Sequence, residues 1–160
     1  MMDLSAYQEP LAIQRVLHNA KSIAIVGLSN NELRASHFVG YYLKRHGYRI
    51  LPVNPRESEI LGELCYPSLL DVPVAVDVVN VFRAPDALPA IATDAVAIKA
   101  ATLWCQFVVI NDEGTRIAVD AGMTAVIDRC LKVEHARYVG RMHWLGFNTQ
   151  RITAVRGGLQ

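Results

Sequence analysis

Short apolar runs alternate with amphipathic stretches along this chain. Residues 22–26 carry no charge and are rich in isoleucine and valine. That is the pattern of a strand buried on both faces of a parallel sheet. Similar runs at 48–53, 77–82, 102–106 and 124–128 predict four more strands. Helices are predicted at 10–19, 36–46, 86–99 and 112–121. In the first, Pro10 suits the opening turn and Leu11, Val16 and Leu17 offer a buried face. In the second, Phe38, Val39, Tyr42 and Leu43 line one side, and Gly47 stops the helix just past its cap. Residues 55–73 read as turns with one short helix, and no strand is predicted after 129.

This alternation predicts an α/β fold: a Rossmann-like, doubly wound sheet, mainly parallel, of about five strands with helices on both faces. No repeat, linker or low-complexity segment divides it, so residues 1–160 read as one domain.

Composition narrows the class. Apolar residues make up 52% and charged residues 19% of the chain, which excludes a disordered tail and a charged coiled coil. Sixteen Lys and Arg against 15 Asp and Glu leave a formal charge of +1. No global field draws the chain to nucleic acid or an anionic membrane, so any anion site is local. Arg137, Arg141, Arg151 and Arg156 in the tail read as solvated surface or an oligomer contact, and a homodimer is an open expectation. Cys65, Cys105 and Cys130 have no CxxC spacing, which suits a reducing compartment. With no signal peptide and no run long enough to span a bilayer, the reading is a cytoplasmic protein.

In open α/β sheets, ligands bind at the carboxyl ends of the strands. The turn after the first strand joins it to a helix N-terminus and contains Gly27, Ser29, Asn30, Asn31, Arg34 and Ser36. Backbone N–H groups, short polar side chains and one forked cation can hold an anion there. The same loop reads equally as a plain turn capped by Ser36. It is not a GxGxxG fingerprint, since Ser29 and Glu32 stand at the later glycine positions. The second strand ends in Asn54, Pro55 and Arg56, where an NAD site would place an acid. An arginine there suits a phosphorylated ribose, as in NADP or coenzyme A.

Further segments join this pattern: Gly47-Tyr48-Arg49-Ile50-Leu51-Pro52-Val53-Asn54-Pro55, Tyr66-Pro67-Ser68-Leu69, 76–83, Trp104 with Gln106, Asp128-Arg129-Cys130 with Glu134-His135, and Gly146-Phe147-Asn148. Together they resemble the small CoA-binding proteins that are similar to the N-terminal domain of the succinyl-CoA synthetase alpha subunit. The resemblance covers residues 11–152. It implies coenzyme A or an acyl-CoA as ligand, with residues 29–32 and Ser36 at the pyrophosphate and Pro55 and Arg56 at the adenosine end. Phe82 and Arg83 would lie along the pantetheine arm, and Gln106 near its thiol. It also implies a binding module without catalytic residues, because a ligase needs a further domain and a partner. Two positions depart from the family: Val108 replaces a glycine, and Lys99 begins a segment that is usually Gly-Ala-Lys. Both place the thiol end in question.

The remaining polar residues suggest no second chemistry. Cys130 reads as an inert thiol and His135 as a structural or solvated histidine. His37, His46 and His143 have no metal-ligand spacing, so no metal site is expected. Asp128 beside Arg129 reads as a structural ion pair. An NADP-dependent oxidoreductase and an interaction protein with a vestigial pocket remain the alternatives.

Overall fold

The computed structural model describes residues 2–140. Helix α1 (Pro10–Asn19) leads into β1 (Ser22–Val26), followed by α2 (Ala35–Arg45) and β2 (Arg49–Val53). A two-stranded hairpin, β3 (Glu59–Ile60) and β4 (Glu63–Leu64), precedes β5 (Val78–Val81). Then come α3 (Leu88–Ala97), β6 (Thr102–Cys105), α4 (Asp112–Asp120), β7 (Thr124–Ile127) and α5 (Leu131–His135). A single π-helical turn, Ala136–Gly140, extends α5.

The main sheet has the order β2-β1-β5-β6-β7 with every neighbouring pair parallel. The chain winds outward on one side of β1 through β2 and on the other through β5, β6 and β7. The switch in strand order therefore falls between β1 and β5. Alternation along the strands separates two cores. Ala24, Val26, Val79, Val81, Leu103 and Cys105 belong with Ala92 and Ala95 of α3 and Ala118 of α4. Ile23, Ile25, Val78, Trp104 and Val126 belong with Ile13 and Leu17 of α1, Val39 and Leu43 of α2, and Leu131 of α5. Both sheet faces are covered, as uncharged strands require.

Some local expectations are corrected. Leu11 is 63% exposed, and Ile13 and Leu17 form the buried stripe of α1 instead. Glu9 caps the helix through Leu11 N–H (2.8 Å), which turns Leu11 to solvent and leaves an i, i+4 pair facing inward. Phe38 is 58% exposed, because the inward positions of α2 are 36, 39, 40 and 43. The segment after β2 contains the β3–β4 hairpin as well as a 3-10 turn at Leu69–Asp71. Leu61 and Gly62 both take positive φ in its two-residue turn (57° and 77°). Leucine hides a turn that Asn-Gly would have advertised. Lys44 fixes it by donating to Leu61 O (2.6 Å) and pairing with Glu63 (3.1 Å). The α5 helix lies in a stretch for which the sequence predicted no strand and named no helix. Arg141, His143, Gly146-Phe147-Asn148, Arg151 and Arg156 lie outside the described residues.

Candidate functional site

The tightest point of the carboxyl edge is Gly27. Its φ is +91°, and an added Cβ would lie 2.5 Å from Phe82 O and 2.9 Å from Arg83 Cδ. Its N–H donates to Val53 O at 2.9 Å. The ends of β2, β1 and β5 are thus drawn together at the strand-order switch, with the Arg83 side chain lying over the first turn. No other residue type satisfies both the φ and the contact.

Beyond Gly27 the loop holds itself by short internal bonds. Ser29 N–H donates to Ser36 Oγ (3.0 Å), Asn31 N–H to Ser29 Oγ (3.0 Å), and Leu33 N–H to Asn31 Oδ1 (2.9 Å). Ser36 is buried as the second residue of α2 and is not its cap; Arg34 takes the cap position without a side-chain bond. The Ser36 hydroxyl still has its proton to donate. Asn30 turns its side chain outward to Glu57 Oε1 (2.8 Å) and Glu59 O (3.0 Å), tying the loop to the hairpin. The backbone N–H groups of Asn30, Glu32, Ala35 and Ser36 meet no acceptor among the described residues. Ala35 and Ser36 stand at the positive end of an eleven-residue helix, an arrangement that binds anions, and Asn30 and Glu32 lie in the loop that leads into it.

Asn54 joins this loop to the next. Its Nδ2 donates to Leu28 O (3.0 Å), and its Oδ1 accepts from Arg56 N–H (2.9 Å). Pro55 and Arg56 are exposed on the turn so formed. Arg34, Arg56 and Arg83 are all exposed, and none forms an ion pair among the described residues. Arg56 and Arg83 thus follow β2 and β5 closely, and Arg34 caps the helix that follows β1, all three unpaired among the described residues.

Further along the edge, Gln106 follows β6 with its side chain buried. Phe82, half-buried after β5, packs in the α2/α5-side core. A residue not singled out from sequence, Asn80, sits fully buried in β5 and donates to Trp104 O at 3.3 Å. One signal was available: it is the lone polar residue within Val78-Val79-Asn80-Val81.

The remaining tempting groups are structural. Asp128 does not pair with Arg129. Its Oδ1 accepts from Val108 N–H (2.8 Å), and Arg129 donates to the Asp128 carbonyl (2.9 Å) and to Gln8 Oε1 (3.1 Å). His135 is buried, and its Nδ1 shares a hydrogen bond with Tyr42 Oη (3.0 Å). Burial, with the nearby His46 and His18, lowers its pKa to about 4. Burial pushes the Cys105 thiol up to about 12. Lys99 lies before β6, at the amino edge, because parallel strands all run the same way; it has no bearing on this edge.

Residues 21–136 match the family described as CoA binding domain. The chain belongs to that CoA-binding domain family. A relative with the same span is the uncharacterized protein YneT of Bacillus subtilis, 38% identical over 124 residues, covering 78% of this chain and 92% of YneT. The acetate–CoA ligase [ADP-forming] II of Archaeoglobus fulgidus is 40% identical over 65 residues, which is 39% of this chain and 10% of that ligase. Among solved structures, a hypothetical protein from Pyrococcus horikoshii superposes with a TM-score of 0.81 at 35% identity, covering 86% of this chain and 96% of that one. Prb, the PH1109 protein redesigned for binding, gives 0.80 at 37% identity, covering 82% and 92%. These neighbours share the α/β Rossmann-like architecture. No helix among the described residues is long and apolar enough to cross a membrane.

Proposed function

We propose that this protein binds coenzyme A or an acyl-CoA at the carboxyl edge of the sheet and performs no catalysis of its own. One observation carries this reading. The backbone N–H groups of Asn30, Glu32, Ala35 and Ser36, between β1 and the first turn of α2, meet no acceptor among the described residues, and the exposed, unpaired Arg34, Arg56 and Arg83 stand on the loops that follow β1, β2 and β5. Coenzyme A carries a pyrophosphate and a separate ribose phosphate, and the exposed arginines of this edge stand on separate loops.

In this reading the pyrophosphate lies on the N–H groups of residues 30, 32, 35 and 36, with Arg34 beside it and Ser29 and Asn31 shaping the loop. The ribose 3′-phosphate meets Arg56, aimed by the Asn54 bond to its backbone and by Pro55. The arm then runs past Gly27, Phe82 and Arg83 toward Gln106. Gly27 matters because any side chain there would displace Phe82 and Arg83 together. The non-catalytic part of the reading is supported at the end of β6, where burial holds the Cys105 thiol protonated.

Titration of the full chain with CoA, dephospho-CoA and NADP at one fixed salt tests this. The expected result is CoA binding weakened about tenfold, or about 1.4 kcal/mol, when the 3′-phosphate is missing. Binding of NADP alone, or of none of the three, overturns it.

A further inference from the structure

An open cavity of about 520 Å³ lies at the amino edge of the sheet, opposite the candidate site. It forms where α1 runs into β1 and α2 runs into β2, and His135 and Val139 add a side from α5 and its π-helical turn. Five basic side chains line it: His18, Lys21, His46, Arg49 and His135. No acidic residue lines it among the described residues. Its size is that of a small-molecule site.

The surrounding elements leave this charge uncompensated. Neither α1, β1, α2 nor β2 contains an acidic residue. The one acid of α5, Glu134, is buried and paired with Arg137 at 3.1 Å. Asp77 is committed to the backbone N–H groups of Lys21 and Ser22 (2.7 and 3.1 Å). Lys132 adds a further cation over the Tyr42 ring. The carboxyl ends of α1 and α2 carry partial negative charge, but several of their carbonyls are already met. Tyr48 Oη donates to Leu17 O (2.6 Å), His46 N–H to Tyr42 O (3.1 Å), Tyr48 N–H to Leu43 O (3.2 Å) and Gly47 N–H to Lys44 O (3.2 Å).

The histidines also crowd one another. The His46 and His135 ring centroids are 5.0 Å apart, and Tyr42 stacks on His46 at 4.1 Å. His46 Nδ1 faces Tyr42 O at 2.8 Å; a carbonyl only accepts, so this nitrogen carries the proton and Nε2 is left to gain one. Burial first, then the charges of His46 and His18, lower the His135 pKa. Protonation in this cluster is opposed by its own cations until an anion enters.

We infer that the cavity is a second binding site, for a small molecule carrying a doubly charged oxyanion of the phosphate kind, held by Lys21 and Arg49 and by His18 and His46 in their protonated forms. Guanidinium and ammonium groups both make charge-assisted bonds to such oxygens. Histidines gain charge between about pH 8 and 5, so anion and proton favour each other and affinity rises as pH falls. This site is separate from the proposed CoA edge and does not rest on it.

The test titrates the full chain with sulfate, which stays doubly charged over this range as a phosphate does not. Ionic strength is held constant with chloride, and the imidazole ring-proton resonances report where the anion binds. Those of His18 and His46 should move saturably, with affinity about tenfold higher at about pH 6 than at about pH 8. Lys21→Met and His46→Gln, both at exposed positions, should each weaken binding about five- to tenfold at the lower pH, and His46→Gln should flatten the pH dependence. His37, in the first turn of α2, reports anion binding at the opposite edge. A response confined to His37, matched by chloride, level between the two pH values or indifferent to Lys21→Met overturns the inference. Acetate binding as tightly as sulfate overturns the doubly charged ligand.

Discussion

Val108 N–H donates to Asp128 Oδ1 at 2.8 Å, and both residues hold the left-handed conformation, with φ of 57° and 61°. The turn from Gln106 to Val109 is closed by Val109 N–H on Gln106 O (3.0 Å), which puts Val108 where a turn of this kind favours glycine. Val108 is 74% exposed. The absent glycine therefore shows itself in the backbone, and the Asp128 carboxylate is what holds that backbone in place. Gln106 begins this turn, so its position is coupled to that bond.

The first prediction concerns this pair. A left-handed residue with a side chain costs about 1–2 kcal/mol, and glycine's greater chain freedom removes about 0.5–1 of that advantage. Val108→Gly should raise stability by up to about 1 kcal/mol. Asp128→Ala should lower it by about 1 kcal/mol while Asp128→Asn, which keeps an acceptor, loses less. Urea unfolding of the singles and the double should show Asp128→Ala costing less once residue 108 is glycine.

Gly27→Ala should be the most damaging small change at the edge. It combines a left-handed penalty with a Cβ placed 2.5 Å from Phe82 O. The expected loss is about 2–4 kcal/mol, read from the unfolding midpoint. Gly47→Ala makes the control, since nothing lies within 4 Å of its added Cβ; it should lose only the backbone part.

Arg56→Ala is expected to cost about 1–2 kcal/mol of CoA affinity, roughly five- to thirtyfold. Dephospho-CoA binding should hardly change. Calorimetry on both ligands checks this, and an equal loss on the two would place Arg56 away from the ribose phosphate.

His135 should make stability sensitive to acid. Its pKa is held at about 4 in the folded chain, first by burial and then by His46 and His18, against 6.5 unfolded. Between these values the unfolded state binds more protons, so stability falls as pH drops from about 6.5 to 4 and is level above that window. Other charged neighbours are Lys132, which lies over the Tyr42 ring, and the Arg137–Glu134 pair. The drop is expected on the order of 3 kcal/mol. Urea unfolding at several pH values should show a smaller slope in this window for His135→Gln than for the parent.

Much of the fold was legible because strands buried on both faces must be uncharged, and runs of that kind stand out at Ser22–Val26 and Val78–Val81. The α5 helix was not legible. It has five residues, no side-chain cap and a π-helical continuation, and its buried Glu134 and His135 look like surface residues in sequence. The candidate edge was legible in outline, because Gly27 and Arg56 follow the ends of β1 and β2 and Ser36 falls in the first turn of the next helix. The roles of their neighbours were not, since nothing local tells Asn30 to reach the hairpin or Asp128 to reach Val108.

The sequence by itself determined the alternation of buried strands and amphipathic helices, and with it a parallel sheet whose loops gather at one edge. Those features depend on side-chain period and on short-range turns. Only the tertiary structure decided which polar atoms are spent inside the protein and which are left over. Ser29 N–H is met by Ser36 seven residues on, whereas Asn80 Oδ1 and Gln106 Oε1 are enclosed and unmet. That difference is set by distances between strands, which no local pattern encodes.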